Sequence, residues 1–543
     1  MLVFRDGRRN VSGAALVRQL VSSIRAAGLH TGQAKPEFLL DALLRCGELE
    51  CALADSGAAD ARAIAEITDH LAHLLLGGTC GMQYGQTLQQ LSRINFPVTV
   101  QSSPPEGFAY YGLHPLKFVD LADSFLSLSQ PAAVVGIRSI GTTLSAVVAA
   151  AARRRRVPVS RITVRPTGHP FYRKTEFTVA DRRWIAKQRS ASAQFMVVDE
   201  GPGLSGSSFL SVGDALLEAG VARAQITFLC SSLSNTSRLC TRDGPARWAQ
   251  FRSLAVEHIS HMPPQAEIDA SGGLWREFLL ESKDEWPASW ISMERSKFLS
   301  ADRGCLWKFE GLGRFGSEIR ERSLALAAAG FGPPVEEFDQ GYVSYELVPG
   351  CPARPKDIST EILDRLAQYC AWREKEFTVS DRQPEDLGKM LACNLREEFG
   401  EGINDPELGF DVEDVVLADG RMAPHEWILS PNGLIKTDGA SHGDDHFYPG
   451  PTDIAWDLAG AITEWRMDSR ARNYFLQQYR RLSGCDPQAR LPAFLRAYSA
   501  FRMGYCKMAA EALRGSIEEV RLTREYLYHR DRVAQAAGVG LAA

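Results

Sequence analysis

Little in this sequence is extreme, and each thing it lacks closes off a class of protein. Its 543 residues show no basic excess, with 61 lysines and arginines against 66 aspartates and glutamates and a formal charge of −5, so no overall field favours nucleic acid. The 11 cysteines are odd in number and dispersed, and no Cys-x-x-Cys pair begins a zinc or redox site, which reads as reduced thiols in a cytoplasmic chain. Met1 to Gly13 puts Arg and Asp where a secretory signal needs an apolar core. Internal repeats are absent, and so are low-complexity tracts beyond Arg153 to Arg156. One long apolar stretch, Pro131 to Ala152, divides into an apolar run (Ala132 to Ile137), a small-residue turn (Ser139 to Thr143) and an Ala-rich helix, so no membrane span is expected. What remains, 45% hydrophobic and 23% charged, is ordinary for a folded chain, and the length suits two to four domains.

Three segments differ in pattern. Residues 1–100 carry apolar residues at helical spacing (Leu39, Leu40, Leu43, Leu44; Ile64, Ile67, Leu71), broken at Gly28 to Lys35 and Asp55 to Ala58, and read as a helical cap. Residues 101–250 alternate short apolar runs (Ala132 to Ile137, Arg161 to Val164, Phe195 to Asp199, Gln225 to Cys230) with helices, the signature of a parallel sheet. Residues 251–543 begin with strands at Cys305 to Phe309 and Val343 to Val348 around a helix (Ser317 to Ala329) and are largely helical from Ile358. The fold class is α/β: a helical N-terminal cap, a parallel-sheet domain, and a two-lobed α+β domain.

Within the second segment, "FMVVDEGPGLSGSSFLSVGDALLEAG" joins an apolar strand, the acids Asp199 and Glu200, a Gly/Ser loop and a helix. Such a loop at the C-terminal end of a parallel strand offers backbone N–H groups and a helix N-terminus to a phosphate, while the two acids suit a ribose diol or Mg²⁺. From about Gly107 to Ser234 the sequence resembles the type I phosphoribosyltransferases. The resemblance implies that Asp199 and Glu200 hold the ribose of phosphoribosyl pyrophosphate (PRPP) and that Gly203, Leu204, Ser205, Gly206, Ser207 and Ser208 hold its 5-phosphate. It further implies that Arg138, Ser139 and Gly141 of "VVGIRSIGTT" meet the pyrophosphate, and that "TVRPTGHPFYRKTEF", with Arg173 and Lys174, forms a closing hood. The loop departs from the family's usual Thr-Thr-Gly, which leaves the acceptor open.

In the third segment Gly311-x-Gly313-x-x-Gly316 lies between a strand and a helix, as in a dinucleotide site. Lys308 at the strand centre and the lack of further βαβ units argue against that reading. From about Gly273 to Tyr528 the order of elements instead resembles the aminoglycoside phosphotransferase and choline kinase superfamily. The resemblance implies ATP binding by Lys308, positioned by Glu318 or, one turn away, Glu321. It matches "DIAWDLAGA" (Asp453, Asp457) to the family's late helix start, makes Asp438 of "GLIKTDG" a metal ligand, puts His425 at the place of the metal-binding Asn and leaves Asp419 near that of the catalytic base. A rival alignment takes Asp444 of "HGDDH" as base and Asp457 as metal ligand.

Together the resemblances imply a bifunctional transferase that uses PRPP and ATP with Mg²⁺ on an unknown small-molecule acceptor, with neither membrane nor nucleic acid as partner and with homo-oligomers possible. The alternative is a regulatory protein that senses both ligands without turnover.

Overall fold

The structure, a computed structural model, describes residues 1–5, 7–27, 35–78, 84–126, 130–233, 236–256, 262–380, 382–400 and 409–537. Packing divides the chain into two units: Gly7–Pro263 with Gly311–Phe315, and Met1–Asp6 with Pro264–Glu310 and Gly316–Ala543.

In the first unit β1 (Arg9–Ser12) pairs antiparallel with β2 (Thr99–Ser102). The main sheet holds β3 (Ala132–Ile137), β4 (Val159–Val164), β5 (Gln194–Val198), β6 (Ile226–Cys230) and β7 (Arg252–Ala255) in the order β4-β3-β5-β6-β7, every pair parallel. Every residue of β3 is buried, as a strand covered on both faces requires. The following helix, Ile140–Arg154, is buried from Ile140 to Ala152 because the helices Pro36–Asp55 and Ala61–Leu75 pack over it. The apolar stretch is thus the middle of a helical layer, and no helix among the described residues is long and apolar enough to cross a membrane.

Arg161 on β4 fastens the helical layer to the sheet. Its guanidinium is buried and meets Glu50 at 2.9 and 3.0 Å and Asp69 at 2.6 Å. A buried charge held by two acids on different helices ties those helices to the strand, since removing any member strands the others without solvent. The expected cap and the parallel sheet accordingly share one unit. The break expected at Gly28 to Lys35 falls, for residues 28–34, outside the described residues.

The second unit has a five-stranded antiparallel sheet of β8 (Ile268–Asp269), β9 (Lys297–Leu299), β10 (Cys305–Phe309), β11 (Val335–Asp339) and β12 (Tyr342–Glu346), ordered β11-β12-β10-β9-β8. A smaller sheet joins β13 (Cys351–Pro352), β14 (Trp427–Ser430) and β15 (Gly433–Lys436). The helices Thr360–Glu376, Ala455–Glu464, Ser469–Ser483 and Leu491–Ala512 close around Tyr369, Trp427, Trp456, Trp465, Tyr479 and Tyr498, all fully buried. The first residues of the chain belong here and not to the cap: Val3 is buried in this core, Arg5 N–H donates to His446 O at 2.9 Å, and Tyr448 N–H donates to Val3 O at 3.0 Å.

Candidate functional site

The second unit contains a cavity of about 190 Å³ between its sheet and its helical part. Its lining combines the apolar Leu306, Pro333, Leu347, Val348 and Ile428 with the basic Arg295, Lys297, Lys308, Arg421, His442 and Arg502 and with the acids Glu294, Glu346, Glu426, Asp438 and Asp445. Lys308 is the fourth of the five residues of β10, which is the middle strand of the sheet. Its Nζ lies 2.5 Å from Asp438 Oδ1, 3.1 Å from Glu310 Oε1 and 3.1 Å from Ser441 Oγ. The period of two along a strand puts Glu310 on the same face as Lys308, and the Tyr345 hydroxyl, at 3.0 Å, fixes the Glu310 carboxylate. Glu318, expected to position the lysine, is exposed on its helix, and both carboxylates that meet Lys308 come from elsewhere.

Below Lys308 two loops are clamped by a buried guanidinium. Arg373, from the helix Thr360–Glu376, donates to Leu417 O at 2.9 Å, to Gly439 O at 2.6 Å and to Tyr369 Oη at 2.9 Å, and lies 3.7 Å from Asp457. Asp457 in turn accepts the backbone N–H groups of Asp419 and Gly420 at 2.8 and 3.0 Å. The late helix start therefore holds the 419–421 turn through its carboxylate, with Asp457 committed to backbone. Asp419, expected near the place of the base, is itself fully buried: it accepts the Tyr369 hydroxyl and the Arg421 N–H and lies 3.5 Å from Lys436 Nζ. It is an anchor, with no face toward an acceptor. His425 stacks on Trp275 with ring centroids 5.9 Å apart, and burial holds its pKa down at about 4. The side chain of Asp444 lies outside the described residues.

Asp419, Glu426 and His442 bring ligand-type atoms within 4.8 Å of one another, which is the spacing of a cation site. An ammonium already meets those acids. Lys436, the last residue of β15 and fully buried, puts Nζ 2.7 Å from Glu426 Oε2, 3.5 Å from Asp419 Oδ1 and 3.0 Å from Asp438 O. Burial disfavours the Lys436 charge, but Asp419 and Glu426 outweigh it and its pKa is raised. For Asp438, burial opposes ionisation, but His442 at 3.3 Å and Lys308 hold its pKa well below the carboxylate range. The His442 imidazole is likewise disfavoured as a cation by burial, yet Asp438 and Asp419 raise it to about 9, so it is protonated at neutral pH. Glu310, Asp419, Glu426, Asp438 and Asp457 each have a basic partner within 4.0 Å among Lys308, Arg373, Lys436 and His442. A hard dication needs carboxylates free to ligate it, and this set does not fit one. Glu310, Arg421, Glu426 and Lys436 escaped the sequence reading. The available signal was Lys436 itself, a lysine ending an apolar strand two residues before Asp438.

The first unit contains the other expected site. Asp199 and Glu200 follow β5, the middle strand, and lead through Gly203 (φ +57°) and Gly206 (φ +70°) into the helix Ser207–Glu218. Asp199 Oδ1 accepts the Gly141 N–H at 3.1 Å, and a Cβ at Gly141 would come within 2.3 Å of Val198 O, so only glycine permits this approach of the two loops. Ser139, just before, holds φ +106°, a strained value for a residue with a side chain. Burial raises Asp199 to about 7, against backbone hydrogen bonds and Arg165 that lower it, while burial, Asp199 and Glu106 raise Glu200 to about 8. Arg138 is turned away from this pair: its guanidinium meets Asp55 at 3.0 Å and Thr163 O at 3.2 Å. The hood is a hairpin in which Thr167 and Lys174 exchange backbone hydrogen bonds, with Lys174 exposed and Arg173 3.4 Å from Pro166 O. Ser205 and Ser207 donate to Pro170 O at 2.9 and 2.5 Å, so hood and loop are joined through hydroxyls, while Leu204 is exposed and Ser208 is the second residue of the helix.

The Gly311-x-Gly313 turn carries no phosphate site. Arg314 N–H donates to Asp41 Oδ1 at 2.9 Å, its guanidinium meets Glu48 at 2.6 Å, and Gly313 (φ +54°) packs on the Asp41 carboxylate. Acids stand where a pyrophosphate would need donors.

No family model matches the sequence, and no curated protein matches it either. About half of the chain is similar to solved structures of kinase fold. Against the choline kinase of Streptococcus pneumoniae it is 15% identical, covering 46% of this chain and 91% of that one, with a TM-score of 0.33. For a choline/ethanolamine kinase family protein of Mesorhizobium loti the figures are 12%, 45%, 88% and 0.33. For the macrolide 2'-phosphotransferase of Brachybacterium faecium they are 17%, 50%, 97% and 0.29. Likeness of this degree leaves the chemistry of the cleft to its own residues.

Proposed function

We propose that the unit of residues 264–310 and 316–543 is a kinase-like phosphotransferase unit that takes a nucleoside triphosphate, its base against the apolar residues and its phosphates against the basic residues of the cleft. The observation that carries this reading is Lys308 on the middle strand, 2.5 Å from Asp438 and facing a cavity lined by Glu346, Leu347 and Val348. A strand lysine opposite an acid that follows a strand pair is the arrangement that grips nucleotide phosphates in kinases. Titration calorimetry with ATP tests it, with ADP release measured against a panel of small alcohols and amines. Binding with release supports transfer to a small molecule. Lys308→Met is expected to weaken ATP binding at least about tenfold, and an unchanged affinity would discard the assignment. Binding without turnover is a second reading, favoured by Lys436 standing among the acids and by the burial of Asp419.

For the first unit we propose a phosphorylated sugar of the PRPP type, held by Asp199 and Glu200 with the 203–208 loop. Support comes from the unneutralised pair and from the Gly141 contact that brings the two loops together. Here Mg²⁺ fits, because two carboxylates without a basic partner at hydrogen-bonding distance among the described residues leave their charge to be met by a ligand. Calorimetry with PRPP and Mg²⁺ tests it, and Asp199→Asn is expected to abolish the binding heat.

A further inference from the structure

We propose that the cleft of the kinase-like unit binds its nucleoside polyphosphate without a divalent cation, the Lys436 ammonium being the permanent counter-ion of the acids that a metal would otherwise bridge. This rests on the nucleotide reading above and adds to it how the phosphate charge is met.

Three observations carry it. First, the one group of ligand-type side chains with cation spacing among the described residues, Asp419, Glu426 and His442, has Lys436 Nζ inside bonding distance of Glu426 and 3.5 Å from Asp419. A metal ion at that point would sit within a few ångströms of a buried ammonium that has no route to solvent, and like charges in a low-dielectric interior repel strongly. Second, the remaining acid of the cleft floor, Asp438, is met from two sides by Lys308 and His442. The carboxylates that would lend a dication its ligands are therefore spent. Third, the cavity is lined by Arg295, Lys297 and Arg421 as well as by Lys308, and Lys297 faces Lys308 across the β9–β10 pair. Arg421 is held by Glu426 at 3.2 Å and Arg295 by Glu310 at 3.5 Å, so both guanidiniums are fixed on one side. A fixed guanidinium binds phosphate oxygens directly and needs no metal as intermediary.

The test is calorimetric titration of the full chain with ATP, once in EDTA and once with excess Mg²⁺. Dissociation constants within about threefold of each other are expected. Binding at least about tenfold weaker in EDTA would overturn the inference and leave the nucleotide reading standing. No binding in either buffer would remove the nucleotide reading and this inference with it. Lys436→Met, checked for folding by circular dichroism, sharpens the result: the variant is expected to bind ATP at least about tenfold more weakly in EDTA than in Mg²⁺. Metal-independent binding by that variant would show that the ammonium is not the counter-ion. If the variant does not fold, the wild-type comparison decides alone.

Discussion

Each of the two units encloses a group of acids, and the two treat them in opposite ways. In the parallel-sheet unit Asp199 and Glu200 are packed against each other and Glu106, and burial pushes them up to about 7 and 8. In the other unit Asp419, Glu426 and Asp438 are just as enclosed, yet Lys436, Lys308 and His442 hold all three below their ordinary values. Burial is common to both sites, so the difference lies in whether the chain supplies its own cations. Acids left uncompensated store a demand for a cation or for hydroxyl donors, and a ligand can satisfy it. Acids compensated within the chain store none, and they shape the backbone around them.

The largest effect should come from breaking the compensated site. Arg373 serves two carbonyls, a tyrosine hydroxyl and Asp457 at once, all buried. Arg373→Ala removes the donor to the two carbonyls and leaves Asp457 with its two backbone N–H donors and no cation, and is expected to cost about 3–5 kcal/mol. Urea unfolding would report the loss, and amide exchange in peptides covering 417–442 should rise first. A change below about 1 kcal/mol would mean that the clamp is redundant. Next in size, Gly141→Ala drives a methyl toward Val198 O and should cost about 1–3 kcal/mol and weaken PRPP binding together with stability.

How much of this could be read beforehand follows from where each residue draws its partners. The strands Ala132–Ile137 and Cys305–Phe309 were legible because a buried strand is apolar along its whole length or carries one conspicuous lysine. The edge strands β7 and β11 were not, since Arg252 and Glu336-Glu337 face solvent there and blunt the apolar signal. The acids Asp199 and Glu200 were legible as a pair because they are adjacent in sequence. The Lys436–Glu426–Asp419 group was not, because its members become neighbours only when β14 and β15 pair and Asp457 fixes the 419–421 turn. Asp438 was picked out by the family resemblance, but the resemblance did not show that Lys308 and His442 would engage it. Glu318 and Arg138 failed for a common reason: a nearer carboxylate, Glu310 or Asp55, captured the expected cation.

The pH behaviour of the two sites should run along different windows. His442 has a folded pKa raised to about 9, so the stability it lends is complete below its unfolded value near 6.5 and is lost as pH rises through 9. Wild type should lose up to about 3 kcal/mol between pH 7 and 10 that His442→Gln does not lose.

The smallest effect, and the one that tells most about the contrast, concerns Asp199. Its folded pKa lies above its unfolded one, so the folded state binds the extra proton between roughly pH 4 and 7 and stability falls across that window as the pH rises. At pH 8 the ionised carboxylate is a cost, and Asp199→Asn should therefore stabilise the ligand-free chain by about 1–2 kcal/mol, with the two proteins converging below about pH 4. Magnesium with PRPP should raise the melting temperature of wild type and leave the variant unmoved, since the ligand acts by meeting the charge that the variant lacks. Equal stability of the two proteins at pH 8 would mean that the pair is satisfied within the chain after all, and the contrast between the two sites would collapse into two versions of one compensated cluster.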